Sequence, residues 1–133
     1  METPTPKTVL VVEDENNIRG AIVDILHIKN FLTLEAKNGI EAVELALGKH
    51  PNLILLDLVM PEMDGMTAFK KIRQDAWGAK VPVIILTNLS ATDEQLVEDM
   101  VMNKPMFYLV KSGWKLHDVV EKIEKILETK NTI

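Results

Sequence analysis

Short apolar runs alternate with segments of helical periodicity along most of the chain. Five runs have the length and the β-branched or apolar composition of strands. They cover residues 8–12, 31–36, 53–56, 81–86 and 106–110. The first, third and fourth are continuously apolar, which is typical of parallel strands covered by helices on both faces. The pattern therefore predicts a parallel sheet with buried central strands.

Apolar residues recur at the spacing of an amphipathic helix after each of these runs. The five helical segments cover residues 18–26, 40–47, 66–72, 96–101 and 116–127. In the second segment the apolar positions are Ile40, Val43 and Leu47. We expect that helix to end at Gly48, ahead of Pro51.

This alternation predicts an α/β protein, a doubly wound (βα)5 sandwich around a parallel five-stranded sheet. At 133 residues the chain has the size of one domain, so we expect a single domain over 1–133 with its core at about 7–127. The chain has no cysteine, which excludes disulfides, thiolate metal sites and a cysteine nucleophile. In doubly wound sheets, ligands bind beyond the carboxyl ends of the strands, where the strand order reverses.

Carboxylates stand at the ends of two of the buried strands. Asp57 closes the apolar run 53–56, and Glu13 and Asp14 directly follow the run 8–12. A buried carboxylate is costly to desolvate, so its presence there requires a compensating partner or a function. If the two strands are neighbours, the three carboxylates converge.

An oxygen-only cluster of this kind suits a hard cation, and Mg²⁺ is the natural choice, with Mn²⁺ as an alternative. Two further polar residues follow strands on the same rim: Thr87 ends the fourth and Lys111 the fifth. A metal pocket flanked by a hydroxyl and an ammonium group is suited to phosphoryl transfer. Asp57 is then the candidate nucleophile.

The overall charge narrows the classes of function. The formal net charge is -5, which argues against direct nucleic-acid binding, because proteins that bind phosphate backbones carry a basic face. No apolar stretch approaches the length of a membrane span. We expect a cytoplasmic protein that binds neither nucleic acid nor membranes.

The polar motif resembles the receiver domain of two-component response regulators, and the chemotaxis response regulators in particular. The residues that carry the resemblance are Glu13-Asp14, Asp57, Met60-Pro61, Asp64-Gly65, Thr87 and Lys111. The resemblance implies a flavodoxin-like sheet of strand order 2-1-3-4-5. It also implies a phosphorelay protein that takes its phosphoryl group from a sensor histidine kinase or a histidine phosphotransfer protein and acts on a downstream protein, as a monomer or weak dimer. It would be a signalling domain rather than an enzyme with a separate substrate.

The same resemblance implies roles for individual residues. Asp57 would be the phosphoacceptor, and Glu13, Asp14, Asp57 and the backbone carbonyl of Val59 would hold Mg²⁺. Phosphorylation would switch the face formed by the fourth helix, the fifth strand and the fifth helix.

Other residues would respond to the phosphoryl group or set its lifetime. Lys111 would pair with the phosphate, and Thr87 and Tyr108 would form the switch pair. Val59, Asn88 and Leu89 would tune the site, and the apolar side chains of Val59 and Leu89 predict a slowly hydrolysed aspartyl phosphate.

Three other functions fit the sequence less well. One is a phosphorylation-independent protein-interaction module with the same fold, against which the intact motif argues. A flavin carrier would need a phosphate loop after the first strand, where Glu13, Asp14 and Glu15 would repel the phosphate. An aspartate-nucleophile phosphatase would need a second acid two residues after Asp14, where the chain has Asn16. A stand-alone phosphoacceptor switch is the leading interpretation. The alternative is that the chain is a piece of a larger regulator or hybrid kinase.

Overall fold

The computed structural model describes residues 6–57, 65–87, 107–110 and 115–131. For residues 87, 107–110 and 128–131 it describes the backbone alone. The strands are β1 (Thr8–Val12), β2 (Leu32–Ala36), β3 (Leu53–Asp57), β4 (Val83–Thr87) and β5 (Phe107–Val110). The helices are α1 (Asn16–Ile28), α2 (Gly39–Lys49), α3 (Gly65–Gln74) and a C-terminal helix (Leu116–Asn131).

The five strands form one parallel sheet of order β2-β1-β3-β4-β5. The predicted doubly wound α/β fold is therefore confirmed. The strand order reverses between β1 and β3, since the chain passes from β1 to the edge strand β2 and then returns to the other side of β1. The carboxyl ends of β1 and β3 thus flank the crevice where such sheets bind ligands.

Alternate residues of each central strand face two separate cores. Leu10 and Val12 pack into a cluster with α2 and α3. Val9 and Val11 pack on the other face, with α1 and the C-terminal helix. All five residues of β3 are buried, as expected for a central parallel strand with helices on both faces.

Two of the predicted helical faces are confirmed. The residues Met66, Phe69 and Ile72 of α3 are buried in the first core. The C-terminal helix buries the apolar positions of its periodic pattern, which are Val119, Val120, Ile123, Ile126 and Leu127. The helix predicted at 96–101 lies outside the described residues.

The helix predicted over 40–47 is confirmed, but two of the apolar residues that marked it do not face the core. Ile40 and Leu47 are exposed, whereas Ala42 and Ala46 are buried in the first core and Val43 is partly buried.

The predicted end of α2, at Gly48, differs from the observed end by one residue. The helix continues through Gly48 to Lys49, and His50 takes the left-handed conformation that closes it, with φ 48° and ψ 62°. Its backbone N–H donates to the carbonyl of Ala46 at 3.0 Å. The position precedes Pro51, where a right-handed helical conformation is disfavoured, and the His50 ring stacks on Trp77 with ring centroids 4.3 Å apart.

Within the described part of the chain, no helix combines the length and the apolar character needed to cross a membrane.

Candidate functional site

Glu13 and Asp57 emerge side by side at the carboxyl end of the sheet. Val12 of β1 and Leu56 of β3 are register partners, so the residues that follow them, Glu13 and Asp57, lie at the same level along the sheet. Glu13 is 2% exposed and Asp57 is 4% exposed. They are the two buried charged residues of the described chain.

Asp14 completes the group from the solvent side. One carboxylate oxygen from each of Glu13, Asp14 and Asp57 lies within 4.8 Å of the other two. The predicted convergence of these residues is confirmed. Asp14 itself is exposed, so the cluster is buried on the side of Glu13 and Asp57 and open to solvent on the side of Asp14.

The donor set fits a hard divalent cation. It consists of carboxylate oxygens, the ligands that Mg²⁺ prefers, and its open side suits an ion that retains several of its waters. Bringing three carboxylates together in a poorly solvated site costs electrostatic free energy, which a bound cation offsets. Glu13, Asp14 and Asp57 are the described residues that would hold the ion.

The backbone of Glu13 is held on both sides. Its N–H donates to the carbonyl of Ala36, at the end of β2, at 3.0 Å. Its carbonyl accepts a hydrogen bond of 2.8 Å from Nη1 of Arg19. Its side-chain Oε2 accepts a longer one, 3.4 Å, from the backbone N–H of Glu15.

The loop that carries the acids leads directly into α1. Glu15 occupies the N-cap position of that helix, and its side chain makes no capping hydrogen bond. Asp14 lies one residue earlier, in the loop on the solvent-exposed side of the cluster.

The backbone places two further predicted residues near this edge. Thr87 is the last residue of β4, and its neighbour Leu86 is the register partner of Asp57. Tyr108 lies in β5, paired with Ile85. The side chains of Thr87 and Tyr108 lie outside the described part of the structure, and so do four other predicted site residues entirely: Val59, Asn88, Leu89 and Lys111.

A second group of ligand-type side chains lies on the C-terminal helix and was not predicted from the sequence. Oxygen or nitrogen atoms of His117, Asp118 and Glu121 lie within 4.8 Å of one another. Asp118 accepts a 3.2 Å hydrogen bond from the backbone N–H of Lys115, at the start of the helix. His117 and Glu121 are exposed. Through its hydrogen bond with Lys115, Asp118 stabilises the start of the helix.

Sequence reasoning did not single out Arg19. Its side chain joins α1, β2 and the loop after β1 through contacts with Asn16, Glu35 and Glu13. Asn16 is at the i, i+3 spacing of a helix from Arg19, but no spacing in the sequence relates Arg19 to Glu35, which reaches it through the pairing of β2 with β1.

Comparisons with known proteins agree with this geometry. The family model described as "Response regulator receiver domain" matches residues 9–124. The chain is 46% identical over 83 residues to a protein-glutamate methylesterase/protein-glutamine glutaminase of Archaeoglobus fulgidus, covering 62% of this chain and 23% of that protein. It is 34% identical over 82 residues to the polar-differentiation response regulator DivK of Brucella anthropi, covering 62% of this chain and 67% of that protein.

Solved structures show the same fold. One is the receiver domain of a sensor histidine kinase from Pseudomonas aeruginosa, described with a magnesium ion coordinated in its active-site cleft. It is 26% identical, with a TM-score of 0.78 over 91% of this chain and 97% of that one. Several curated relatives are much longer than this chain, which spans between 6% and 35% of five of them. Because the family model covers most of the chain, this protein belongs to the response regulator receiver domains of two-component signalling.

Proposed function

We propose that this protein is a phosphoacceptor switch in which Asp57 accepts a phosphoryl group from a phosphohistidine. The donor would be a sensor histidine kinase or a histidine phosphotransfer protein. The observation that carries the proposal is the meeting of the buried carboxylates of Glu13 and Asp57 with Asp14 at the switch point of the sheet. Carboxylates are costly to bury, and a site that binds a cation and a phosphoryl group gives a reason for placing them together.

In the proposed reaction, a carboxylate oxygen of Asp57 attacks the phosphorus of the donor. The new O–P bond forms as the N–P bond to the donor imidazole breaks, and the imidazole leaves with its electron pair. When bound, Mg²⁺ would neutralise charge on the oxygens of the transferred group. Asp57 is well placed for this role because it ends a buried strand, whose rigid backbone fixes the direction of the nucleophile.

The remaining site residues are proposed from the family pattern. Lys111 would pair with the phosphoryl oxygens, and Thr87 and Tyr108 would rearrange after transfer. The carbonyl of Val59 would complete the metal ligands. The switch would alter the face built from the segment 96–101, β5 and the C-terminal helix.

The proposed location, oligomeric state and partners also follow from the family pattern. The receiver core would cover about residues 7–127 and act in the cytoplasm as a monomer or weak dimer. It would signal to a downstream protein rather than bind nucleic acid or membranes directly. Its chemistry would be confined to gaining and losing its own phosphoryl group.

The direct test uses a small phosphodonor, acetyl phosphate, with Mg²⁺ and intact-protein mass spectrometry. We expect wild-type protein to gain one phosphoryl group, Asp57→Asn to gain none, and EDTA to suppress the gain. Asp24→Asn is the matched control, because Asp24 is an exposed aspartate on α1. Undiminished labelling of Asp57→Asn would contradict the proposal. Wild-type protein that resists both acetyl phosphate and beryllofluoride would instead support a phosphorylation-independent interaction module.

A further inference from the structure

Arg19 holds the loop that carries two of the three acids of the metal site. We infer that Arg19 is a positioning residue for this site, acting through the Glu13 carbonyl to aim Asp14. The inference rests on the proposed function, since it concerns the affinity of the same carboxylates for Mg²⁺.

The guanidinium of Arg19 makes three hydrogen bonds to three different parts of the fold. Nη1 donates to the backbone carbonyl of Glu13 at 2.8 Å, and Nη2 donates to Oδ1 of Asn16 at 2.7 Å. Nε donates to Oε1 of Glu35 at 3.1 Å. The side chain is only 15% exposed. A planar guanidinium that donates from each of its three nitrogens holds its partners in one relative geometry.

The bond to the Glu13 carbonyl controls the direction of the next residue. That carbonyl belongs to the peptide plane that joins Glu13 to Asp14, and a peptide unit turns as a rigid body. The N–H of Glu13 is fixed to Ala36 at 3.0 Å. With both backbone groups held, the chain has little freedom to rotate between the buried acid Glu13 and the exposed acid Asp14.

This restraint matters because of the ion the site would take. Mg²⁺ requires near-ideal octahedral geometry, so a ligand that moves freely contributes less affinity. Groups that hydrogen-bond to metal ligands typically change the metal affinity because they fix the orientation of those ligands. Asp14 lies in a loop, open to solvent, and has the most to gain from a fixed peptide plane.

Loss of the Arg19 charge and loss of its hydrogen bonds would change the Mg²⁺ affinity in opposite directions. An experiment can therefore distinguish the two effects. A nearby cation opposes Mg²⁺, so loss of its charge alone would tighten Mg²⁺ binding. Loss of the restraint would weaken Mg²⁺ binding. Arg19→Lys separates the two effects, because lysine retains the charge but lacks the planar set of donors.

The experiment measures the Kd for Mg²⁺ by calorimetry, with amide NMR spectra as a second readout. We expect Arg19→Gln and Arg19→Lys to raise the Kd about tenfold. This is the lower end of the change that follows when a residue supporting a metal ligand is mutated. Lys29→Gln is the charge control, because Lys29 pairs with Glu124 on the C-terminal helix. It should leave the Kd unchanged. An unchanged or lowered Kd in both Arg19 variants would overturn the inference.

Further readouts distinguish positioning from simple stabilisation of the fold. Circular dichroism identifies a temperature at which all variants are folded, and the Kd is compared there. In the phosphorylation assay, Arg19→Lys should need about tenfold more Mg²⁺ for half-maximal rate, while its rate at saturating Mg²⁺ matches wild type. A lower maximal rate with no change in Mg²⁺ dependence would contradict positioning.

Two arms keep the inference testable if a variant or the proposed function fails. If the Arg19 variants do not fold, Asn16→Ala removes one acceptor of the guanidinium and should raise the Kd about threefold, the equivalent of a weak hydrogen bond.

If wild-type protein does not bind Mg²⁺, the proposed function fails, and amide hydrogen exchange in EDTA still tests the restraint. Exchange at Asp14 and Glu15 should be faster in Arg19→Lys than in Lys29→Gln, and equal rates would refute it.

Discussion

Val12 of β1 and Leu56 of β3 are register partners in the parallel sheet. The two carboxylates that follow them, Glu13 and Asp57, are therefore brought together by strand pairing rather than by a flexible loop. Strand pairing in a buried sheet is strongly specified, because a slip by one residue would turn each side chain to the opposite face. The positions of Glu13 and Asp57 are consequently fixed by the same strand pairing that builds the core.

Asp57→Asn should stabilise the protein when no divalent cation is present. The substitution removes one of three carboxylates whose oxygens lie within 4.8 Å of one another, and so relieves repulsion. We expect the free energy of unfolding to rise by about 1 kcal/mol in EDTA. Urea denaturation in EDTA and in Mg²⁺ measures the change. The gain should shrink or reverse with Mg²⁺, and the same gain in both buffers would argue against a shared metal site.

Ile54→Ala should destabilise the fold by about 2–5 kcal/mol, because it leaves a cavity in the centre of β3. Ile54 is 0% exposed and packs in the core below the site. Ile28→Ala is the matched control, since Ile28 ends α1 with 76% exposure. That change should remain within about 0.5 kcal/mol. Urea denaturation of the two variants side by side gives the comparison, and similar losses would contradict the observed burial.

Asn38→Ala should cost about 1 kcal/mol of stability, because Asn38 is the N-cap of α2. Its Oδ1 accepts from the backbone N–H of Glu41 at 2.8 Å, and Oε1 of Glu41 accepts from the backbone N–H of Lys37 at 3.0 Å. Asn38→Asp retains the acceptor and should remain close to wild type. Thermal and urea unfolding measure both variants. An equal loss in the two would show that the cap is not the source of the stability.

Val59→Asn should shorten the lifetime of the aspartyl phosphate severalfold. The proposed site would place Val59 beside the phosphorylated Asp57, where an amide would orient the attacking water and a valine would not. Val59→Ala is the control, since it remains apolar. Release of inorganic phosphate from the phosphorylated protein, with Mg²⁺ present, gives the rates. Equal lifetimes for wild type and Val59→Asn would contradict the expected role of the apolar side chain.

The elements that sequence periodicity predicted best are those with large apolar residues on one face. Phe69 of α3 and Ile123 of the C-terminal helix are both buried as expected. Strand β1 begins and ends where it was predicted, whereas other predicted strand ends differ by one or two residues, as in β4, which runs from Val83 to Thr87. Pairing with a neighbouring strand decides such ends, and a single run of residues does not contain that information.

The face of α2 shows why hydrophobic pattern alone was insufficient there. Periodicity ranks positions by hydrophobicity, and it favours Ile40 and Leu47 over the alanines of the same helix. Tertiary packing decides otherwise, because it is the position of α2 against the sheet and α3 that selects the buried face. Ala42 and Ala46 lie in the first core, and the larger residues are exposed.

The sequence by itself determined the α/β class, the candidate nucleophile and the acids that accompany it. These depend on local features: an apolar run followed at once by a carboxylate, and the order of such runs along the chain. Only the tertiary structure decided that Glu13, Asp14 and Asp57 meet within 4.8 Å, and that Arg19 holds the Glu13 carbonyl. Both depend on the parallel pairing of β1 with β3 and with β2, which joins residues distant in sequence and has no local signature.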